Sequence, residues 1–182
     1  MVILLCGFMG SGKSFFAKKL QNGPGEGLFL DLDDIIFSKY RLDEKSLGEL
    51  IEKRGWGFFR DKEYQCLREI LHGKSKEGEN LILSLGGGTL SERSLTLIES
   101  MGHSYLIWLE SSFEKCFERI LREGEEKRPL LKKGKDYIHK LYLERKVLYS
   151  RSFLKLSEVE RESLETLGSL MELINQRREE SE

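Results

Sequence analysis

Eight consecutive residues, Gly7-Phe8-Met9-Gly10-Ser11-Gly12-Lys13-Ser14, fit the pattern G-x-x-x-x-G-K-[ST] at every fixed position. Glycines at these places let the backbone bend round an anion and approach it with no Cβ in the way. Successive N–H groups then point at phosphate oxygens, and the start of a following helix adds its positive end. In such a loop the lysine, here Lys13, neutralises charge on the β- and γ-phosphates, and the hydroxyl of Ser14 sits on Mg²⁺. The chemistry is triphosphate binding. A Gly/Ser-rich turn that happens to precede a helix is the bland alternative, and eight residues in the right frame argue against it.

Other residues can join that chemistry. Asp31 and Asp33 close the apolar run Leu28-Phe29-Leu30. Acids at the carboxyl end of a strand in an open α/β sheet reach the ligand edge, and two positions apart on a strand they point the same way. The bland alternative is that one of these two caps the helix expected from about Ile35, but Asp34, nearest to it, fits that role better. Arg60 follows Phe58-Phe59, and an arginine beside aromatic rings suits a planar carboxylate. An ion pair with Glu63 or Glu69 is its alternative. Gly86-Gly87-Gly88, at the end of another apolar run, permits close backbone approach by a ligand. Residues 122–135 are dense in charge and punctuated by glycine, which is the composition of a solvated loop. In a nucleotide enzyme it is also that of a lid carrying a cation over the phosphates.

The elements that position these groups follow from periodicity. Val2-Ile3-Leu4-Leu5-Cys6 and Leu81-Ile82-Leu83-Ser84-Leu85 lack alternation and read as strands buried on both faces. Residues 103–110 and 153–156 read as two more, with Tyr105, Ile107 and Leu109 on one face and Trp108 in the core. Helices are expected after the glycine loop, through most of 35–72 with a break at Lys53-Arg54-Gly55-Trp56-Gly57, and over 91–101, 111–122, 136–151 and 162–176. Ser46 with Glu49 resembles a capping box. A turn cluster spans residues 22–27, and a polar tail from Gln176 is expected to fray. The region 34–63 holds more helix than a crossover between strands needs, so it reads as an inserted substrate-binding region. Alternating strands and helices predict a parallel sheet covered on both faces.

The chain has 182 residues, which suggests one domain over 1–182. Charged residues make up 34% and the net charge is −1, so no basic excess argues for nucleic acid or an anionic membrane. Cys6, Cys66 and Cys116 are odd in number and lack metal or disulfide spacing, which fits a reducing cytoplasm. No apolar run approaches the length of a membrane span, and the chain reads as soluble and unprocessed.

A triphosphate loop leaves the reaction open. The sequence has no N-K-x-D segment to read guanine and no apolar run ending in Asp-Glu, which weakens GTPase and motor ATPase readings. The ordered set of motifs resembles the shikimate kinase family over nearly the whole chain. The loop is similar to that family's G-F-M-G-[AS]-G-K-[ST], Asp31-Leu32-Asp33 to its D-L-D, and Ser46-Leu47-Gly48-Glu49 to its S-I-x-E. Gly55 through Arg60 and Glu63 resembles G-E-x-x-F-R-x-x-E, Gly86-Gly87-Gly88 its glycine triplet, and Arg128-Pro129-Leu130-Leu131 its lid motif. Arg145 with Leu148-Tyr149 resembles R-x-P-L-Y. Trp56, Ile51, Leu85, Val147 and Phe15 depart from those patterns.

The resemblance implies a three-layer α/β/α fold with a five-stranded parallel sheet, a P-loop NTPase of the nucleoside-monophosphate-kinase type. It implies transfer of the γ-phosphoryl group of ATP to the 3-hydroxyl of shikimate, a step of chorismate and aromatic amino-acid biosynthesis. Lys13, Asp33 and Arg128 then act in catalysis, the last when residues 122–135 close as a lid. Gly10, Ser11, Gly12, Lys13, Ser14, Phe15 and Arg128 bind ATP. Asp33, Arg60, Gly87 and Arg145 bind shikimate, with Glu63 holding Arg60, and Ser14 and Asp31 hold Mg²⁺. Arg122 is the first candidate for an adenine contact and Arg161 the second. The expected partners are ATP and shikimate, with no nucleic acid and no membrane, for a cytoplasmic monomer. A kinase for another small polyol acid such as gluconate, and a non-catalytic nucleotide-binding module, are the alternatives that the residues alone leave open.

Overall fold

The computed structural model describes residues 1–23, 27–74, 80–125 and 128–180. Residues 24–26 of the expected turn, 126–127 of the expected lid and 181–182 of the tail lie outside the described residues. Five strands form one sheet: β1 (Val2–Cys6), β2 (Leu28–Asp31), β3 (Leu81–Ser84), β4 (Ser104–Leu109) and β5 (Leu154–Leu156). Their order is β2-β3-β1-β4-β5, and every pairing is parallel. The central strand β1 is buried along its whole length. Its alternate residues divide between two apolar layers, with Val2, Leu4 and Cys6 in one and Ile3 and Leu5 in the other.

The second layer is closed by α1 (Lys13–Asn22) and α8 (Leu167–Glu179), through Phe16, Ala17, Leu20, Leu167, Leu170 and Ile174. The first layer is covered by α2 (Leu32–Tyr40), α3 (Leu47–Lys74), α4 (Glu92–Glu99), α5 (Phe113–Glu123) and α6 (Lys135–Tyr149). The result is three layers, α/β/α, as the alternation of elements requires. β1 lies between strands connected to opposite sides of the sheet, so a crevice opens beyond its carboxyl end, where such sheets bind ligands.

Several boundaries differ from expectation for local reasons. α2 starts at Leu32, not near Ile35, because Asp31 caps it: the Asp31 side chain accepts from the Asp33 N–H. Asp34 is exposed in the first turn and caps nothing. The expected break at residues 53–57 is a kink inside α3, where Gly55 takes φ 82° and ψ 160°. Ser46 Oγ accepts from Glu49 N, but Glu49 reaches back to Lys45 N, so the capping box is shifted by one residue. The single helix expected over 162–176 is two. A short α7 (Glu158–Ser163) has its own capping box, formed by Ser157 and Glu160, and α8 begins after Thr166. α8 continues to Glu179, past the point expected to fray. Residues 122–135 also contain structure, a 3-10 turn over Pro129–Lys133. Among the described residues no helix is long and apolar enough to cross a membrane.

Leu4, fully buried in the middle strand, tests the core. Leu4→Ala is expected to lower unfolding free energy by about 2–5 kcal/mol, read as a lower urea midpoint with an unchanged slope.

Candidate active site

The loop from Gly7 to Gly12 joins β1 to α1. Gly12, at the helix N-cap, has φ 92°, in the left-handed region where a side chain is strained. Ser11 N donates to Phe8 O at 3.0 Å and closes the turn. The Lys13 ammonium is buried and donates to Gly7 O at 2.9 Å and Phe8 O at 3.1 Å, so it lies back along the loop. Burial lowers its pKa to about 8, against the opposing pull of Asp33. Ser14 Oγ donates to Asp31 Oδ2 at 3.1 Å. Phe15 is exposed on the wall of the same cleft.

Asp31 and Asp33 do not lie side by side on a strand. Asp31 ends β2 and caps α2, whereas Asp33 sits in the first helical turn and turns into the cleft. Asp33 Oδ1 is sealed from solvent and has no hydrogen-bond partner. Burial is the main cause that pushes the Asp33 carboxyl up to about 6. The negative charges of Asp31 and Glu63 add to it, and Lys13 and Arg128 oppose it.

A cleft of about 570 Å³ follows the loop and is lined by Lys13, Ser14, Asp31, Arg119 and Arg161. A smaller cavity of about 90 Å³ adjoins it, walled by Ile51, Trp56 and Phe59 and carrying Arg60 and Arg145. Met9, Asp33, Gly86, Gly87 and Arg128 line both. The two spaces are therefore continuous, with Asp33 at their junction.

Arg60 pairs with Glu63, one turn later on α3. Glu63 is buried and also accepts from Thr89 Oγ1 at 2.5 Å. The guanidinium lies 5.1 Å from the ring centres of both Trp56 and Phe59. The sequence alternatives for Arg60 are therefore not exclusive: it makes the ion pair and still faces the cavity. Arg145, on α6, lies over the Phe8 ring at 5.6 Å. Burial lowers its pKa, and among the described residues it has no carboxylate partner. A Cβ on Gly88 would strike Arg60 Nη2 and come within 2.7 Å of Arg145 Nη2, so the glycine admits both guanidiniums. Tyr149 donates to Gly87 O at 2.5 Å and fixes that peptide. Arg128, just before the 3-10 turn, donates to Glu123 Oε2 at 2.6 Å and faces both cavities.

Two adenine candidates fare differently. Arg122 points away, paired with Glu118 on the exposed side of α5. Arg119, which was not singled out, lines the large cleft and donates to Gly10 O at 3.1 Å. It lies one turn beyond Cys116 and beside Ile120, which pack against the loop at Gly10. Arg161 does line the cleft, through a helix that the pattern did not reveal.

The oxygen donors fit Mg²⁺. Ser14 and Asp31 already touch, and a hydroxyl and carboxylates are the hard ligands this ion accepts beside water and phosphate. Among the described residues no cluster of three or more His, Cys, Asp or Glu side chains could enclose a metal. Burial pushes the thiols of Cys6 and Cys116 up to about 12 and about 11, so neither is a nucleophile near neutral pH.

A family model described as shikimate kinase matches residues 9–175. The curated shikimate kinase of Persephonella marina is 34% identical over 155 residues, covering 85% of this chain and 87% of that protein. A crystal structure of shikimate kinase from Bacteroides thetaiotaomicron superposes with a TM-score of 0.71 at 26% identity, over 96% of this chain and 98% of that one. Shikimate kinase from Acinetobacter baumannii in complex with shikimate gives 0.75 at 25% identity, over 96% and 93%.

The raised Asp33 carboxyl has a consequence for stability. The folded protein holds this proton more tightly than the unfolded chain does, from the ordinary 3.8 to about 6. Its contribution is thus most favourable below pH 4 and is lost as pH rises through 6. Above that, ionised Asp33 costs on the order of 3 kcal/mol, at about 1.4 kcal/mol per pKa unit. Asp33→Asn is expected to be more stable than wild type at pH 8 by about that amount, with the difference shrinking toward pH 4, as read by urea unfolding at both pH values.

Proposed function

The chain belongs to the shikimate kinase family and is an ATP-dependent kinase, and on that footing we propose that it moves the γ-phosphoryl group of ATP to the 3-hydroxyl of shikimate. The products are shikimate 3-phosphate and ADP, within chorismate and aromatic amino-acid biosynthesis. The observation that carries this reading is the junction at Asp33. A phosphate cradle opens on one side of it and a small pocket with two converging guanidiniums on the other.

In this reading ATP lies along the large cleft, with its phosphates against the N–H groups of Gly10, Ser11, Gly12, Lys13, Ser14 and Phe15. Shikimate enters the small cavity. Its carboxylate accepts from Arg60 and Arg145, which satisfies a planar anion and rejects neutral analogues. The apolar surfaces of Ile51, Trp56 and Phe59 cover the ring, and the backbone at Gly87 meets its hydroxyls. Asp33 accepts a hydrogen bond from the 3-hydroxyl, aims its oxygen at the γ-phosphorus and takes up its proton. The raised basicity of Asp33 helps here.

Lys13 leaves the carbonyls of Gly7 and Phe8 to follow the transferring group, and Arg128 joins it as residues 122–135 close. Residues 34–63 then serve as the acceptor-binding region. Ser14 and Asp31 would hold Mg²⁺, which would supply positive charge to offset that of the phosphates. The three cysteines are free and buried, which supports a reducing cytoplasm for a chain read as a monomer.

A coupled ADP-release assay with MgATP tests the reading. Turnover is expected with shikimate and not with gluconate, and a negligible rate with shikimate overturns it. Asp33→Asn should lower kcat by about 10²–10⁴ and leave the KM for MgATP within a few-fold, and a near-wild-type kcat removes the proton-accepting role. Arg145→Met should raise the KM for shikimate by about ten- to a hundredfold, as loss of a hydrogen bond between charged groups implies, with little change in the KM for MgATP.

A further inference from the structure

Arg161 is 8% exposed; Glu158 Oε1 lies 3.8 Å from its Nη2, but its hydrogen bonds go mainly to main chain. Its Nη1 donates to Ser11 O at 2.7 Å, in the phosphate loop itself. Its Nη2 donates to Glu110 O at 2.7 Å and Ser111 Oγ at 3.1 Å, just beyond β4, and its Nε donates to Ser157 O at 3.2 Å. A guanidinium has five N–H donors, so four of them are committed to the protein. α7, which carries Arg161, is itself fastened to α1: Lys19 Nζ donates to Arg161 O at 3.0 Å and Glu162 O at 2.8 Å. Glu158, at the start of α7, holds Arg119 at 3.2 Å, and Arg119 in turn donates to Gly10 O.

We propose that Arg161 is a positioning residue that sets the phosphate loop by holding the Ser11–Gly12 peptide. A planar trans peptide sends its C=O and N–H in opposite directions. With Ser11 O drawn back to Arg161, the Gly12 N–H is turned toward the cleft. Glycine does not hold such an orientation by itself, because its backbone is equally free to turn the other way. Gly12 has a φ of 92° and no side chain to restrain it, and Arg161 Nη1 lies 3.7 Å from where its Cβ would be. The restraint must come from outside the loop, and α7 supplies it. Arg161 thus acts on the nucleotide's phosphates through the backbone. The inference rests on the reading of the large cleft as the ATP site.

The test is binding of inorganic tripolyphosphate, which has the phosphates without the base or sugar, measured by calorimetry beside ADP for wild type, Arg161→Met and Arg161→Lys. Tripolyphosphate and ADP should weaken in parallel by about tenfold in Arg161→Met, the size expected for one hydrogen bond to a charged group. Arg161→Lys should recover part of the loss, and the KM for shikimate should stay within about twofold. A loss for ADP alone overturns the proposal, because it assigns Arg161 to the base or sugar. A lower thermal midpoint with unchanged tripolyphosphate affinity at 20 °C also overturns it, because Arg161 then only supports the fold. Wild-type turnover of MgATP and shikimate alongside either result leaves the phosphotransfer reading standing.

Discussion

An ionised carboxylate has to persist where two cavities meet and water is scarce, and much of the site is arranged around that demand. Asp33 is held there by the first turn of α2, which Asp31 initiates. Burial, Asp31 and Glu63 all work against its charge, and Lys13 and Arg128 work for it. The outcome, a carboxyl raised to about 6, is a base stronger than an exposed aspartate yet still ionised at neutral pH. Burial lowers Lys13 to about 8, with Asp33 opposing the shift and Arg128 adding to it. Neither residue is comfortable alone. Each favours the other's charged form, so the two adjoining cavities are electrostatically one unit.

The fold can carry this cost because its polar chemistry is confined to one edge. β1 divides its side chains between two apolar layers, and β3 is equally buried. Parallel pairing then brings the ends of β1, β2, β3 and β4 to the same side, where Gly7, Asp31, the glycine triplet and Glu110 follow. Strand order matters for this. With β1 between β3 and β4, the loop after it is flanked by the glycines on one side and by Glu110 and Ser111 on the other.

Much of this was legible in the sequence, and the exceptions have physical reasons. The strand–loop–helix at Gly7–Ser14 carries its own geometry, and unbroken apolar runs marked the buried strands. Asp33, Arg60, Gly87 and Arg145, which the family resemblance had put together, line one small cavity. The cap of α2 was misassigned because three aspartates within four residues offer the same side chain, and only the backbone decides which one accepts from an N–H. α7 was missed because a helix of six residues has too few apolar positions to show a period, and Val159 faces solvent. Strand order left no trace in periodicity at all, since pairing is settled between distant segments.

Arginine shows where sequence reading stops. Five arginines near the cleft are identical in type, and what separates them is how many donors the protein has already taken. Arg145 keeps its fork free of carboxylates among the described residues, with only the face of Phe8 beneath it. Arg60 gives an N–H to Glu63 and rests between Trp56 and Phe59, so it is oriented without being used up. Arg128 is held by Glu123, an exchangeable surface pair. Arg119 is shared between Gly10 O and Glu158. Arg161 has spent four donors and can offer a ligand little. A guanidinium with unsatisfied donors in a desolvated wall favours an anion, whereas one that is nearly satisfied by carbonyls makes the wall rigid. The cleft needs both kinds, because an anion gains full advantage only from donors that do not have to rearrange to meet it.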